Sequence, residues 1–336
     1  MTPREIVKEQ ILHRETGRIP YTLTFEESVG DRLDAHYGNA EWRKRIVPYI
    51  TSCGKITVLR EDAAVPSIRD AFGTFWRTDK LPPAVIEPAL KSPSFAGYSF
   101  PSIDELLDRE TITKASRSAA DSADSFTIVN TGLCLWQSWY VRGFESTMTD
   151  CILEEDFYTE LLDRMTDLTI GVIEQCGDIP ADAIMMGDDW GTQRGIMIGP
   201  ERWRKFYKSR YARIFKAVHA QNKIAILHCC GSVADIMSDI IEIELDVLES
   251  VQPEAKGMSP YGLKAAWGDK ITFWGGLGSQ STIPFGTPGE VRSEIQRLRN
   301  EMGKGGGYIL APAKPLRPET PTENAVALVE EFLQVP

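Results

Sequence analysis

Two side chains near the middle of this 336-residue chain have the types and spacing to share a metal ion. His228 and Cys230 follow the apolar run Ile224-Ala225-Ile226-Leu227, within the stretch Lys223 to Gly231 (KIAILHCCG). Such a run is the pattern of a strand buried on both faces. On an extended backbone alternate side chains share a face, so His228 and Cys230 point one way and Cys229 the other. An imidazole and a thiolate side by side at a strand end are two of the ligands that zinc takes. Taken alone, the tripeptide reads more readily as a hydrogen-bonded core histidine beside small buried cysteines. Its place in the chain changes that balance.

Other strand ends carry polar or glycine-rich residues. Ala183-Ile184-Met185-Met186 runs into Gly187-Asp188-Asp189-Trp190-Gly191. The aspartates could act as a general acid or base, anchor a cation or give an oxygen to a metal, or else cap a helix. Adjacent side chains face opposite ways, so one of the two enters a pocket, and Asp188 is the preferred candidate. Asp189 and Gln193 are substrate-binding candidates beside it. Glu249 and Gln252 follow the strand Asp246-Val247-Leu248. Glu249 could complete a zinc shell or stay solvated, and Gln252 could bind substrate. Gly275, Gly276 and Gly278 permit close approach of a ligand, or are turn residues. Lys314, held between Pro312 and Pro315, could meet an anionic group or lie on the surface. His13, His36 and His219 fall in helical segments and read as surface or satisfied histidines.

The elements around these groups alternate. Strands at Lys55–Leu59, Phe126–Asn130, Ala183–Met186, Ile224–Leu227, Asp246–Leu248, Ile271–Trp274 and Tyr308–Leu310 are separated by helical segments, and Ile19–Phe25 is a plausible first strand. Residues 1–18 read as a helix, with Thr2-Pro3 as cap and first turn. Asp31–Tyr49 reads as helical, and Ala71–Ala96, without a period, as a strand-and-loop excursion. About eight short strands joined by helices predict a parallel (β/α)8 TIM barrel in one domain over 1–336, with an N-terminal helical extension and a lid-like excursion over about 1–120. No strand is followed by GxGxxG, which argues against a dinucleotide fold, and Gly303 to Gly307 precedes a strand.

Net charge is −11, and no basic stripe appears, so nucleic-acid binding is not expected. No apolar run is long enough to span a bilayer or to form a secretory leader. Six cysteines without framework spacing read as reduced thiols, and a cytoplasmic location is expected.

Gly187-Asp-Asp-Trp-Gly191 with Pro200-Glu-Arg-Trp203, Phe273-Trp-Gly-Gly-Leu-Gly278, and Gly307-Tyr-Ile-Leu310 with Pro321-Thr-Glu-Asn324 resemble the uroporphyrinogen decarboxylase superfamily, which includes the cobamide-dependent methyltransferases. The likeness is good over about 125–333 and loose before that. The decarboxylase branch grips its tetrapyrrole with an arginine-rich loop near the N-terminus. Here Glu15-Thr-Gly-Arg-Ile19 offers one arginine, which disfavours that substrate. Asp62 stands where that branch has a catalytic aspartate, and Lys314 near its last-loop histidine. The methyltransferase branch carries His-x-Cys where this chain has His228 and Cys230. The resemblance there implies zinc, a small substrate, a corrinoid on a partner protein, and a further cysteine in the last loop. Tyr308 to Arg317 holds no cysteine, so Asp188, Glu249 or a water would take that place, making thiol activation poorer and Lewis acidity stronger. O-methyl ether or hydroxy-acid substrates then become thinkable.

Three readings follow. The first is zinc-dependent methyl transfer to or from a corrinoid protein. The second is a metal-free decarboxylase or lyase using Asp62, Asp188 and Lys314. The third is a non-catalytic barrel that binds a corrinoid or tetrapyrrole. A homodimer is compatible with each.

Overall fold

The computed structural model describes residues 1–57, 66–80 and 82–334. Seven parallel strands form one curled sheet: β1 (Ile50–Lys55), β2 (Phe126–Asn130), β3 (Ala183–Gly187), β4 (Ile224–His228), β5 (Val247–Val251), β6 (Thr272–Leu277) and β7 (Tyr308–Pro312). Their order in space is their order in the chain. An open doubly wound sheet reverses order at a switch point; this one winds steadily in one direction, so every strand delivers its C-terminal end to the same rim. Strands β2 and β4 are almost wholly buried, as their unbroken apolar runs require.

The N-terminal segment differs from the expected strand. Tyr21 and Phe25 each make a single parallel bridge, to Leu310 and Leu316, beside the β7 edge. Pro20 has no N–H to contribute, and the chain enters a helix at Glu27 before a ladder can grow. On the other side the Tyr21 hydroxyl accepts the Val47 N–H at 3.0 Å, and its ring packs on Tyr49. β1 also begins earlier than the apolar pattern suggests, at Ile50. The expected helix over 31–49 is cut by Gly38 (φ 73°), leaving Glu27–Tyr37 and a short 3-10 turn over Glu41–Arg45.

The segment after β1 forms a small antiparallel sheet of Ser67–Arg69, Phe75–Arg77 and Ala84–Glu87, in agreement with the aperiodic excursion. Asp70 shapes its first turn, accepting the Phe72 and Thr74 N–H groups (2.9 Å each) and the Trp76 indole N–H (2.8 Å).

The opposite rim is fastened by α1 (Pro3–Ile11). Thr2 and Glu5 make a reciprocal capping box with proline in the first turn. Arg4 and Lys8, one helical turn apart, converge on Asp182 at the start of β3, at 2.8 and 2.7 Å. Burial alone would raise the Asp182 carboxyl, but hydrogen bonds from Arg4, Lys8 and the Thr127 N–H outweigh it and hold it below the ordinary carboxylate range. A depressed folded value means that this stabilisation is present above the unfolded pKa of about 4 and is lost as pH falls through the folded value. Asp182→Ala should therefore lower stability on the order of 1–3 kcal/mol at pH 7, a buried-pair loss discounted for half-exposed cations. Its stability in urea should fall less steeply than that of the parent below about pH 4.

Candidate functional site

His228 ends β4, and Glu249 lies directly opposite it in the β5 register. The Glu249 carboxylate makes a very short hydrogen bond to His228 Nδ1. That bond turns the other ring nitrogen, Nε2, toward Cys230, whose Sγ is 3.1 Å away. The expectation that residues 228 and 230 share a face agrees with this contact. Cys229 faces the interior, where its sulfur accepts the Trp190 N–H. Five of the six cysteines are buried and Cys230 is partly exposed, so its thiol has access to the rim. Burial disfavours a charged His228 ring, but hydrogen bonds to Cys230 and Glu249 prevail and raise its pKa to about 10.

Two further loops complete the cluster. Asp189 Oδ1 accepts the Cys230 N–H at 3.2 Å. Lys314, in the loop after β7, places Nζ 2.5 Å from Cys230 Sγ. That loop is tied down by the Ala313 N–H to Leu277 (2.9 Å) and by the Ser250 hydroxyl, which donates to the Ala313 carbonyl. The donor atoms of Asp189, His228 and Cys230 all lie within 4.8 Å of one another. A tetrahedral ion with bonds of about 2.0–2.3 Å spans such a set after a small contraction. One nitrogen, one sulfur and one carboxylate oxygen, with the imidazole oriented by a second carboxylate, fit zinc with a fourth position left for water or substrate.

The geometry corrects two sequence expectations. Asp188, preferred as the pocket-facing acid, is 1% exposed and hydrogen-bonded to the Tyr211 hydroxyl, which also lies 2.8 Å from Cys134 Sγ. Burial pushes its carboxyl up to about 7. β3 ends at Gly187, and beyond it strand alternation no longer decides which aspartate faces in. Glu249, expected to complete the metal shell, hydrogen-bonds His228 Nδ1, and the carboxylate grouped with the His228 and Cys230 donor atoms is that of Asp189.

Asp189 and Cys230 can meet because their loops pack backbone on backbone. A Cβ on Gly191 would lie 2.5 Å from the Cys230 carbonyl oxygen, and one on Gly231 (φ 77°) would lie 2.7 Å from Gly191 backbone. Gly191→Ala should therefore drive the loops apart and weaken zinc binding about tenfold or more in a chelator competition. The thermal midpoint should fall as well, because Trp190 and Cys229 beside these glycines belong to the apolar core.

The remaining expected residues are dispersed. The Gln252 side-chain oxygen accepts the Gly231 N–H (3.2 Å) and so steadies the Cys230 loop. Gln193 is exposed on a two-stranded hairpin. Gly275 (φ 125°) is committed to packing, since a Cβ there would come within 2.7 Å of the Val251 nitrogen. Gly276 lies beside Tyr308 and Leu298, away from the cluster. Asp62 lies outside the described residues. His13 and His219 are hydrogen-bonded to the Gly268 carbonyl and to Asp246, and His36 is exposed.

Two of the cavities among the described residues adjoin each other at this rim. One, of about 340 Å³, is bordered by His228, Glu249, Lys314, Trp274 and Thr22. The other, of about 440 Å³, is bordered by Lys55, Trp76, Trp136, Gln137 and Tyr140. They share Ser52 and Asn130. Sequence reasoning missed this second chamber. Asn130 carried a signal as the polar end of an apolar strand, and Lys55 as the start of an expected one; the others come from segments without a marked period.

Comparison with known proteins gives three findings. The family model of uroporphyrinogen decarboxylase (URO-D) matches residues 83–334. Over 188 residues the chain is 28% identical to the methylcobamide:CoM methyltransferase MtaA of Methanosarcina barkeri, covering 55% of this chain and 51% of that protein. It is 22% identical over 186 residues to the uroporphyrinogen decarboxylase of Thermus thermophilus, covering 54% and 50%. The chain thus spans about half the length of the curated relatives it matches. A solved structure of a methyltransferase from Methanosarcina mazei superposes with a TM-score of 0.72 at 20% identity, covering 99% of this chain and 98% of that one. At that identity the likeness is one of fold. No helix among the described residues is long and apolar enough to cross a membrane.

Proposed function

Given that this chain belongs to the uroporphyrinogen decarboxylase (URO-D) family, we propose that it is a zinc-dependent methyltransferase, moving a methyl group between a small substrate and a corrinoid held by a partner protein. The reading carries with it a closed (β/α)8 barrel in one domain, with the segment around Tyr21 as the eighth stave, working in the cytoplasm; a homodimer is compatible with it. The observation that supports it most is the convergence of Asp189, His228 and Cys230 at the rim. Identity to a methylcobamide methyltransferase adds support.

His228 Nε2, Cys230 Sγ and an Asp189 oxygen would hold the zinc, which when bound supplies Lewis-acid activation of a thiol or an oxygen on the substrate. Glu249 fixes the ring so that Nε2 faces the other two donors, and it strengthens that nitrogen as a ligand. The Lys314 ammonium donates to the Cys230 sulfur and draws electron density from it. With one sulfur among three donors, the site suits polarising an ether or hydroxyl oxygen better than activating a thiol. Asp188 backs the wall with Tyr211, and Gln252 steadies the Cys230 loop.

The test is metal analysis of freshly purified protein together with turnover of methylcobalamin. About one zinc per chain, and methyl transfer to small thiols or alcohols that stops on chelation, is the expected outcome. Carbon dioxide release from a carboxylated substrate by chelator-treated protein would favour a decarboxylase that uses Lys314. Tight pigment binding without turnover would favour a non-catalytic barrel.

A further inference from the structure

Asp189 reaches the cluster because both of its chain neighbours are turned the other way, and one side chain touches them both. The Tyr211 hydroxyl donates to the Asp188 carboxylate. The Tyr211 ring packs edge-to-face on the Trp190 indole, with centroids 4.6 Å apart. Tyr211, Asp188 and Trp190 are buried, whereas Asp189 is not. With the residues before and after it pinned to the wall, the side chain of Asp189 is the one left to face the rim. The Tyr211 hydroxyl is itself oriented, since Cys134 Sγ lies 2.8 Å from it. With the tyrosine proton committed to Asp188, the thiol is the donor in that contact.

An irregular helix puts Tyr211 in this place. Residues 200–220 are helical throughout, but Arg204–Lys208 form a π turn between Pro200–Trp203 and Ser209–Ala220. Trp203, Tyr207, Tyr211 and Phe215 lie four residues apart and are all buried. On an ideal helix such a row drifts about 40° per step. The wider π turn takes up part of that drift, so Trp203 and Tyr211 both meet the Trp190 ring.

We propose that Tyr211 is a positioning residue for the metal site: by holding Asp188 and Trp190 it sets the turn so that Asp189 meets the Cys230 N–H and the donors of His228 and Cys230. Without the hydroxyl, a buried carboxyl loses its donor, which is costly where the group stands. Asp188 then shifts toward water and takes Asp189 with it. The Cys230 N–H, now 3.2 Å from Asp189 Oδ1, loses its acceptor. The inference rests on the proposed function only for the zinc; the seating of Asp189 on the Cys230 N–H requires no metal.

The test compares Tyr211→Phe, which keeps the ring on Trp190, with Tyr158→Phe. The Tyr158 side chain is equally buried, and its hydroxyl bonds to Tyr207 at 2.9 Å, not to the turn. Two quantities are followed in the full chain: zinc affinity by chelator competition, and exchange of the Cys230 amide hydrogen in zinc-free protein by NMR. Tyr211→Phe should weaken zinc binding about fivefold or more. It should also speed exchange of the Cys230 amide about fivefold or more. Tyr158→Phe should lower the thermal midpoint and leave both quantities at the parent's values. Should Tyr211→Phe not fold, Asp188→Ala opens the same clamp from its other end and carries the same two expectations. Parental values of both quantities in the folded variant, or equal losses in Tyr158→Phe, overturn the proposal. Faster Cys230 exchange in a chain that takes up no zinc would sustain the clamp and remove the metal reading alone.

Discussion

If the proposed zinc site is right, His228→Ala and Cys230→Ala should each reduce bound zinc from about one per chain to a trace, and methyl transfer should fall with it on the order of 10³-fold. The magnitude follows from the several kcal/mol of charge stabilisation that a bound Lewis acid supplies, each 1.4 kcal/mol being about a factor of ten in rate. Neither change should unfold the chain. His228 and Cys230 are only partly buried at a strand end, while the core is built from the apolar runs beneath them. Circular dichroism and the thermal midpoint should therefore stay close to the parent's while metal content collapses. Cys229→Ala is the control. Cys229 faces the interior and touches none of the cluster's donor atoms, so zinc content should be unchanged at a modest cost in stability.

Glu249→Gln gives the second large effect. If Glu249 orients His228, removing its charge weakens zinc binding by about 10–100-fold without removing a donor atom. The same change takes away an anionic partner that holds the ring's pKa near 10, so the His228 titration followed by NMR in metal-free protein moves down. Asp189→Asn behaves differently. It removes a donor while the Glu249 hydrogen bond survives, so metal is lost but the His228 titration stays near its parent position. An unchanged affinity in Asp189→Asn would return Glu249 to the role of third ligand.

The parts of this account legible in the sequence are those governed by repetition. Unbroken apolar runs such as Ile224–Leu227 mark strands buried on both faces, and the alternation with helices gives their parallel order. The polar ends of those strands identify the rim where reactive groups gather. His228 and Cys230 were legible for the same reason, since the two-residue period of a strand continues just far enough to pair them. Just past a strand end that period stops. The choice between Asp188 and Asp189 depends on how the chain turns at Trp190 and Gly191, and Glu249 is drawn from the metal position by a histidine 21 positions away in sequence. The meeting of Gln137, Trp136 and Lys55 was illegible because it takes place only when β1, the helix over Gln137–Arg142 and the small antiparallel sheet are assembled around one space.

The central claim is that one sulfur, one imidazole and one carboxylate share an ion. Zinc-edge X-ray absorption on the loaded protein tests it most directly. The expected spectrum has one zinc–sulfur distance of about 2.3 Å, with the remaining scatterers nitrogen or oxygen near 2.0–2.1 Å and an imidazole signature that disappears in His228→Ala. Two or more sulfurs around the metal, no sulfur at all, or purified protein that cannot be loaded with zinc would contradict it.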